Sequence, residues 1–315
     1  MITNSTYSNI SVSATVAKST VITISYSVTN PGEAITTSSL SVISYIDYLF
    51  DGVIDSTTSG LTLTLGANEL SNSSFFAQPV NTTTYSTTSY TLSATLLDSI
   101  PAGGYVVFVF PSAITLTSPT LDGASFITTS CSVSTSGNNI TLNNCFSSAM
   151  NNLNFYVTFG GITNPSSLEP TTSFGIYTYG TNSIINFKAT GTTVTMTALA
   201  LSTSFAPTPS STVVDATNTY TFTISFFGSP ASGDYLLLSL PVGMSISGTS
   251  SCSPGTGVAS LTCSSPNRTE LKVYFGSVPS SSISFTASNI KNYQISGTSV
   301  PLKLVLYKAN NYAAE

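Results

Sequence analysis

The sequence predicts an all-β chain of tandem immunoglobulin-like β-sandwich units, about 130 residues per repeat. Three observations carry this. First, the chain repeats itself: Phe75 to Pro111 returns as Phe205 to Pro241, with Tyr90 over Tyr220, Gly103 over Gly233 and Tyr105 over Tyr235, an offset of 130. A second block, Asn164-Pro165 followed by Phe174-Gly-Ile-Tyr-Thr-Tyr and Gly191-Thr-Thr-Val-Thr-Met, is prefigured by Asn30-Pro31, Leu40-Ser-Val-Ile-Ser-Tyr and Gly60-Leu-Thr-Leu-Thr-Leu. Fixed-period self-similarity marks an array, whose function lies in how units join and what their surfaces present. Second, Tyr90, Leu92, Ala94 and Leu96 alternate with Thr91, Ser93 and Thr95, as Tyr220, Phe222, Ile224 and Phe226 alternate with polar neighbours. Period two gives strands with one buried face. Third, turn residues recur about every 8–12 residues, and no stretch has helical periodicity.

The elements follow in order. The strand at Tyr105 to Phe110 ends at Pro111, and that at Tyr235 to Leu240 ends at Pro241, because proline withdraws a ladder donor. Pro101-Ala-Gly-Gly and Pro230-Ala-Ser-Gly supply the turns before them. Further strands are expected at Ile140 to Leu142, Leu153 to Phe159, Phe174 to Tyr179, Ile184 to Lys188 and Thr192 to Leu201. Their partners fall at Ser260 to Thr262, Leu271 to Phe275, Ile283 to Ala287 and Leu302 to Tyr307. Joints near Leu65 to Leu70 and Ala198 to Ser202 divide the chain into 1–68, the back half of a unit, 69–200, a complete unit, and 201–315, a unit without its last strand or strands. There is no Trp, so the buried Trp of true immunoglobulin domains is absent, and the cysteines read as too close in sequence for an inter-sheet bridge.

Charged residues are 6% of the chain and net charge is −5. That excludes the basic footprint needed for nucleic acid or anionic lipid, and apolar runs are of strand length, too short for membrane insertion as a helix. With 41% hydrophobic residues the chain can build a core. Its polar surface comes from Ser, Thr and Asn, the habit of secreted, cell-surface or extracellular β-proteins. Asn4, Asn9, Asn72, Asn81, Asn139 and Asn267 head Asn-x-Ser/Thr sequons, so covalent N-glycans, with O-glycans on the Ser/Thr-rich surface, are expected. Cys131 and Cys145 stand at the same stage of one repeat as Cys252 and Cys263 in the next. Three pairings are open, and the repeat favours the two local ones, each contributing about 2–3 kcal/mol by loop closure. Met1-Ile-Thr-Asn has neither the charged start nor the apolar core of a leader, which reads as an excerpted or processed chain.

The sequence offers little chemistry. Without histidine, Ser-His-Asp and Cys-His schemes are excluded; the acids are scattered, no cofactor is implied, and the chain is read as not an enzyme. Asp47, Asp51 and Asp55 flank a Gly-containing turn that offers oxygen ligands to Ca²⁺, against the plainer reading of solvated acids beside a hairpin. Strand lysines such as Lys188 and Lys303 raise Lys–Asn isopeptide cross-links, with edge protection as the alternative. Tyrosines including Tyr156, Tyr177, Tyr179 and Tyr312 raise sugar stacking, with cross-strand packing as the alternative.

Tyr-Thr-Phe-Thr-Ile, the Pro-Ala-Ser-Gly-Asp-Tyr turn, an apolar strand ending in Pro241, a short Cys pair and a closing Asn-Pro turn together resemble repeats of very large secreted surface proteins of ciliated protists. Asn292-Tyr293 departs from Asn164-Pro165 at that turn. The resemblance implies an extracellular, repetitive, structural protein and supplies no catalytic residue. The ends sharpen this. A unit without its closing strand exposes backbone and apolar surface that another chain's strand fills. An N-terminal segment, Ser8 to Val16 or Ser19 to Thr29, through Ser8, Ile10, Val12, Ala14 and Val16 or through Val21 and Ile24, is therefore expected to pair beside Leu302, Leu304 and Leu306 of a neighbouring copy, giving a head-to-tail homopolymer. The competing expectation is a cell-surface adhesin or carbohydrate-binding ectodomain fragment.

Overall fold

Period-two patterning becomes strands throughout. The computed structural model describes residues 17, 20–23, 25, 34–37, 40–45, 53–125, 131–150, 154–181, 183–201, 205–294 and 301–314, and every regular element among them is a β-strand. β1 (Leu40–Tyr45) and β2 (Val53–Leu61) form an antiparallel ribbon on which Val42, Ile43, Val53 and Ile54 are exposed.

The next sandwich comprises β3 (Asn68–Glu69), β4 (Phe75–Pro79), β5 (Thr87–Thr95), β6 (Tyr105–Val109), β7 (Thr115–Ala124), β8 (Ser132–Ser136), β9 (Asn139–Asn143), β10 (Asn154–Thr163), β11 (Phe174–Tyr179) and β12 (Ile184–Thr192). One sheet runs β4–β5–β10–β7 and the other β3–β12–β11–β6–β9–β8, antiparallel except that β3 lies parallel to β12. Their inner faces meet in one core. Tyr90, Leu92, Phe155, Val157 and Phe159 come from the first sheet, and Val106, Phe108, Ile140 and Ile176 from the second. Phe108 meets Phe159 edge to face, with ring centroids 5.5 Å apart. Burying each such ring contributes about 1.5–3 kcal/mol.

The last sandwich comprises β13 (Ala206–Pro209), β14 (Thr217–Ser225), β15 (Tyr235–Ser239), β16 (Ser245–Ile246), β17 (Cys252–Pro254), β18 (Leu261–Asn267), β19 (Glu270–Phe275), β20 (Ser282–Lys291) and β21 (Lys303–Tyr307). Its sheets run β13–β14–β20–β16, with β17 also on β20, and β18–β19–β15–β21. Phe222, Ile224, Leu236, Leu238, Val273 and Phe285 build its core. The immunoglobulin-like, all-β architecture expected from the sequence is thus present.

The structure corrects several readings. Residues 193–201 are not a regular strand; they join the sandwich through one parallel bridge, Thr197 to Thr83, and by burying Val194 and Met196. β7 had no sequence signal because Pro119 lies inside it. The proline is tolerated since β7 is an edge strand and its pairing with β10 is broken by register shifts. Gly161 marks this irregularity: at φ +69° its missing Cβ leaves room for the Ser118 carbonyl, 2.3 Å from where that Cβ would stand. Asn289 takes the same left-handed backbone in β20.

The two local disulfides form, Cys131–Cys145 and Cys252–Cys263. The first joins the ends of the β8–β9 hairpin. The second contradicts the sequence reading that these cysteines are too close for an inter-sheet bridge. β17 pairs with β20 in one sheet and β18 with β19 in the other, so Cys252–Cys263 ties the sheets together. A separation of 11 suffices because β17 and β18 follow one another across the open side of the sandwich.

Candidate assembly interface

Each sandwich carries the same buried polar staple at one end. Tyr90 donates its hydroxyl to Asn164 Oδ1 at 2.6 Å, and Asn164 Nδ2 donates to the carbonyls of Asn81 and Thr83. Tyr220 donates to Asn292 Oδ1 at 2.6 Å, and Asn292 Nδ2 donates to the carbonyls of Ser211 and Val213. The departure at Asn292-Tyr293 leaves the staple intact: the asparagine makes its hydrogen bonds, and the Tyr293 carbonyl accepts from Asp215 N as that of Pro165 accepts from Tyr85 N, while the Tyr293 ring packs against the core.

Burial pushes the Tyr90 and Tyr220 hydroxyls above the ordinary tyrosine value. A raised folded pKa means that the contribution is whole below the unfolded value near 10 and is lost as pH rises through the folded one. Lys308 has the same sign. Its burial pulls the ammonium down, but the hydrogen bond it donates to Asp234 and the adjacent Tyr85 outweigh this and leave it above the ordinary lysine value. The staples and this ion pair are thus insensitive to pH near neutrality and fail above about pH 10. In an alkaline titration followed at 295 nm, a late set of tyrosines should ionise together with loss of the β-sheet circular dichroism. Ionisation of all tyrosines while the sheet signal persists would contradict this.

The staple holds a loop whose next residue faces the following sandwich. Tyr85 and Asp215 occupy the same place in the two loops, both with left-handed backbone, φ 61° and 58°. Asp tolerates that conformation; for Tyr it costs roughly 1–2 kcal/mol. Tyr85 is held there by its neighbour: it packs against the core of the β13–β21 sandwich, and its ring lies where a Cβ on Gly228 would stand, 2.0–2.4 Å away. Asp215 instead forms a surface pair with Lys291 at 2.7 Å, whose hydrogen bond holds its carboxyl below the usual carboxylate range. Around Tyr85, Thr84 Oγ1 donates to the Ala314 carbonyl, Asn310 bonds Glu169, and Lys308 pairs with buried Asp234 at 2.9 Å.

One hydrogen bond recurs at both joints. Ala34 N donates to the Ile184 carbonyl at 3.0 Å, and Leu168 N donates to the Ala313 carbonyl at 2.8 Å. Each donor stands four residues after the Asn of an Asn-Pro pair, and each acceptor opens the return arm of the next hairpin. Replacing Tyr85 by Ala, or Gly228 by Val, should uncouple the last two sandwiches from opposite sides at about 1–2 kcal/mol. Scanning calorimetry should then separate two transitions, with the double variant no worse than either single one. Additive losses would show that the two residues do not share a contact.

The two sandwiches differ at one edge. In the first, β11 is flanked by β6 and by β12, and residues 194–197 cover the staple loop: Thr84 N donates to the Thr197 carbonyl and Thr197 N to that of Thr82. In the second, β21 is the edge of its sheet among the described residues, touched on its outer side only by the short return at Ala313 and Ala314. Its staple loop exposes Val213 and Val214.

Of the residues expected to act in assembly, Ser8, Ile10, Val12, Ala14, Val16 and Ile24 lie outside the described residues, and Val21 is exposed. Leu306 is buried in its own core, with Leu302 and Leu304 packed against it, so only the backbone of this strand is presented at the edge. Asn72, Asn81 and Asn267 are exposed and Asn139 is half-buried; Asn4 and Asn9 lie outside the described residues. Asp47 and Asp51 also lie outside them, and Asp55 is an exposed residue of β2. Lys188 is buried with Nζ 3.6 Å from Glu69, an ion pair. Tyr179 and Tyr307 stack on Tyr105 and Tyr235, the cross-strand packing that the alternation suggests. Nothing in the sequence marked Tyr85, one aromatic in a Ser/Thr run.

No protein-family model matches the chain, and no curated protein matches it. Among solved structures it is similar to the collagen adhesin of S. aureus, at 10% identity over 79% of this chain and 92% of that one, with a TM-score of 0.22. It is similar also to a type II cohesin dyad from the adaptor scaffoldin of Acetivibrio cellulolyticus (7% identity; 78% and 95% covered; TM-score 0.24) and to a serine-rich repeat adhesion glycoprotein of Streptococcus agalactiae (11%; 76% and 93%; 0.25). The ciliate relationship has no counterpart in these three matches. The immunoglobulin-like sandwich itself stands on the strand order and cores described above.

Proposed function

We propose that this chain is a structural subunit of an extracellular filament or fibrous surface layer, divided at 1–68, 69–200 and 201–315, and assembled head to tail by strand complementation between copies. The observation that carries the reading is the edge strand β21, whose counterpart β11 is covered by β12, together with exposed Val213 and Val214 where the first sandwich is covered. Edges of this kind are templates for another strand. The donor in this reading is Ser8 to Val16 or Ser19 to Thr29 of the next copy. Two disulfides fit an oxidising compartment, and three exposed sequons fit a glycosylated surface. No helix among the described residues is long and apolar enough to cross a membrane. Sedimentation of the native protein tests the reading: polymers that dissociate only under denaturing conditions support it, and a stable monomer at all concentrations overturns it.

A second reading, a cell-surface adhesin or carbohydrate-binding ectodomain fragment, is favoured by one observation, the exposure of Phe76 and Tyr156 on one sheet face.

A further inference from the structure

Three adjacent strands set Phe76, Ser93 and Tyr156 in one row, since Ser93 of β5 is the register partner of both Phe76 on β4 and Tyr156 on β10. Sequence neighbours Phe75 and Phe155 face the core and are 1% and 4% exposed, whereas Phe76 and Tyr156 are 55% and 48% exposed. The small serine between them leaves a shallow groove of about 260 Å³, whose rim includes Ser74, Thr95 and Asn154. Thr95 donates to Asn154 Oδ1 at 2.6 Å, which fixes the amide at that rim. No charged side chain lines the groove.

The fold does not require these rings. In the last sandwich the same row reads Ala206, Thr223 and Ser284, small or polar at every place, on an equally regular sheet. Two large aromatics about half exposed to water, where the repeat does without them, point to a ligand.

We infer that the Phe76–Ser93–Tyr156 face binds a neutral oligosaccharide. The rings lie two strand spacings apart, about 9–10 Å, the span of two linked pyranose rings. Aromatic faces are electron-rich and accept the C–H faces of sugars, while the hydroxyl and amide groups of the rim match sugar hydroxyls. A charged ligand has no partner here. The inference rests on the second functional reading alone and leaves the fibre reading untouched.

The test is calorimetric titration of the full chain with cellohexaose, mannohexaose and N-acetylated chitohexaose. One of these should bind. Phe76→Ala and Tyr156→Ser, which install the residues that the last sandwich carries, should each weaken that binding by about tenfold or more, the scale of one lost stacking contact, with an unchanged melting temperature. Phe227→Ala, which removes another exposed ring, should leave binding intact. Binding that survives in both groove variants would overturn this site while sparing the sugar-binding reading. No binding of any probe would overturn both. Loss of self-association in the variants, without sugar binding, would assign the face to contact between copies instead.

Discussion

Replacing Asn164 by alanine is expected to destabilise the β3–β12 sandwich by about 3–5 kcal/mol. The change strands the buried Tyr90 hydroxyl and removes the donor to the part-buried carbonyls of Asn81 and Thr83. An unsatisfied buried group costs about 1–3 kcal/mol, and two part-buried carbonyls and the lost packing of the amide add to it, so the sum is a large share of the 5–15 kcal/mol that typically holds a domain together. Asn292→Ala should do the same to the β13–β21 sandwich through Tyr220. Denaturant unfolding of both variants checks this. A loss below about 1 kcal/mol at either site would mean that water replaces the amide and that the staple is not structural. Asn164→Asp is a useful control, because it keeps the acceptor for Tyr90 and removes the two N–H donors.

The second large effect concerns polymer formation. Removing residues 1–29 should convert polymer to monomer, since the deleted segment holds both donor candidates. Adding a peptide with the sequence of Ile184 to Leu199, the segment that closes the first sandwich, should then stabilise the monomer. At a hundredfold excess over its dissociation constant the gain is about 2.7 kcal/mol, read as a rise in melting temperature. Polymer that survives the deletion would place the contact elsewhere. A peptide without effect would mean that the β21 edge does not accept a strand.

The fold was legible where the local pattern decides it. Alternation located β5, β6, β10, β11 and their counterparts, because one face of each is buried without interruption. It missed β7, where Pro119 and a register shift spoil the pattern at an edge that tolerates both. Pairing of the cysteines followed from the repeat, but which sheets they join did not, since that depends on where β17 pairs. The staple was half visible: the sequence aligned Asn164 with Asn292 but weighted the following residue, whose side chain is irrelevant to the hydrogen bonds. Tyr85 was invisible because its role comes from the adjoining sandwich, so the repeat puts Asp215 in its place with a different task. Tyr156 was one of several tyrosines that raised sugar stacking, but its pairing with Phe76 emerged only when cross-strand register put the two in one row.

In the proposed assembly the open edge of β21 is completed by a strand from another copy. Electron microscopy of the native material with helical reconstruction tests this most directly. Fibres are expected in which an additional strand, from the neighbouring subunit's first thirty or so residues, runs beside Lys303 to Val305, the part of the edge that the return at Ala313 and Ala314 leaves open, and covers Val213 and Val214. Discrete particles, or fibres in which that edge lies bare against solvent, would contradict it.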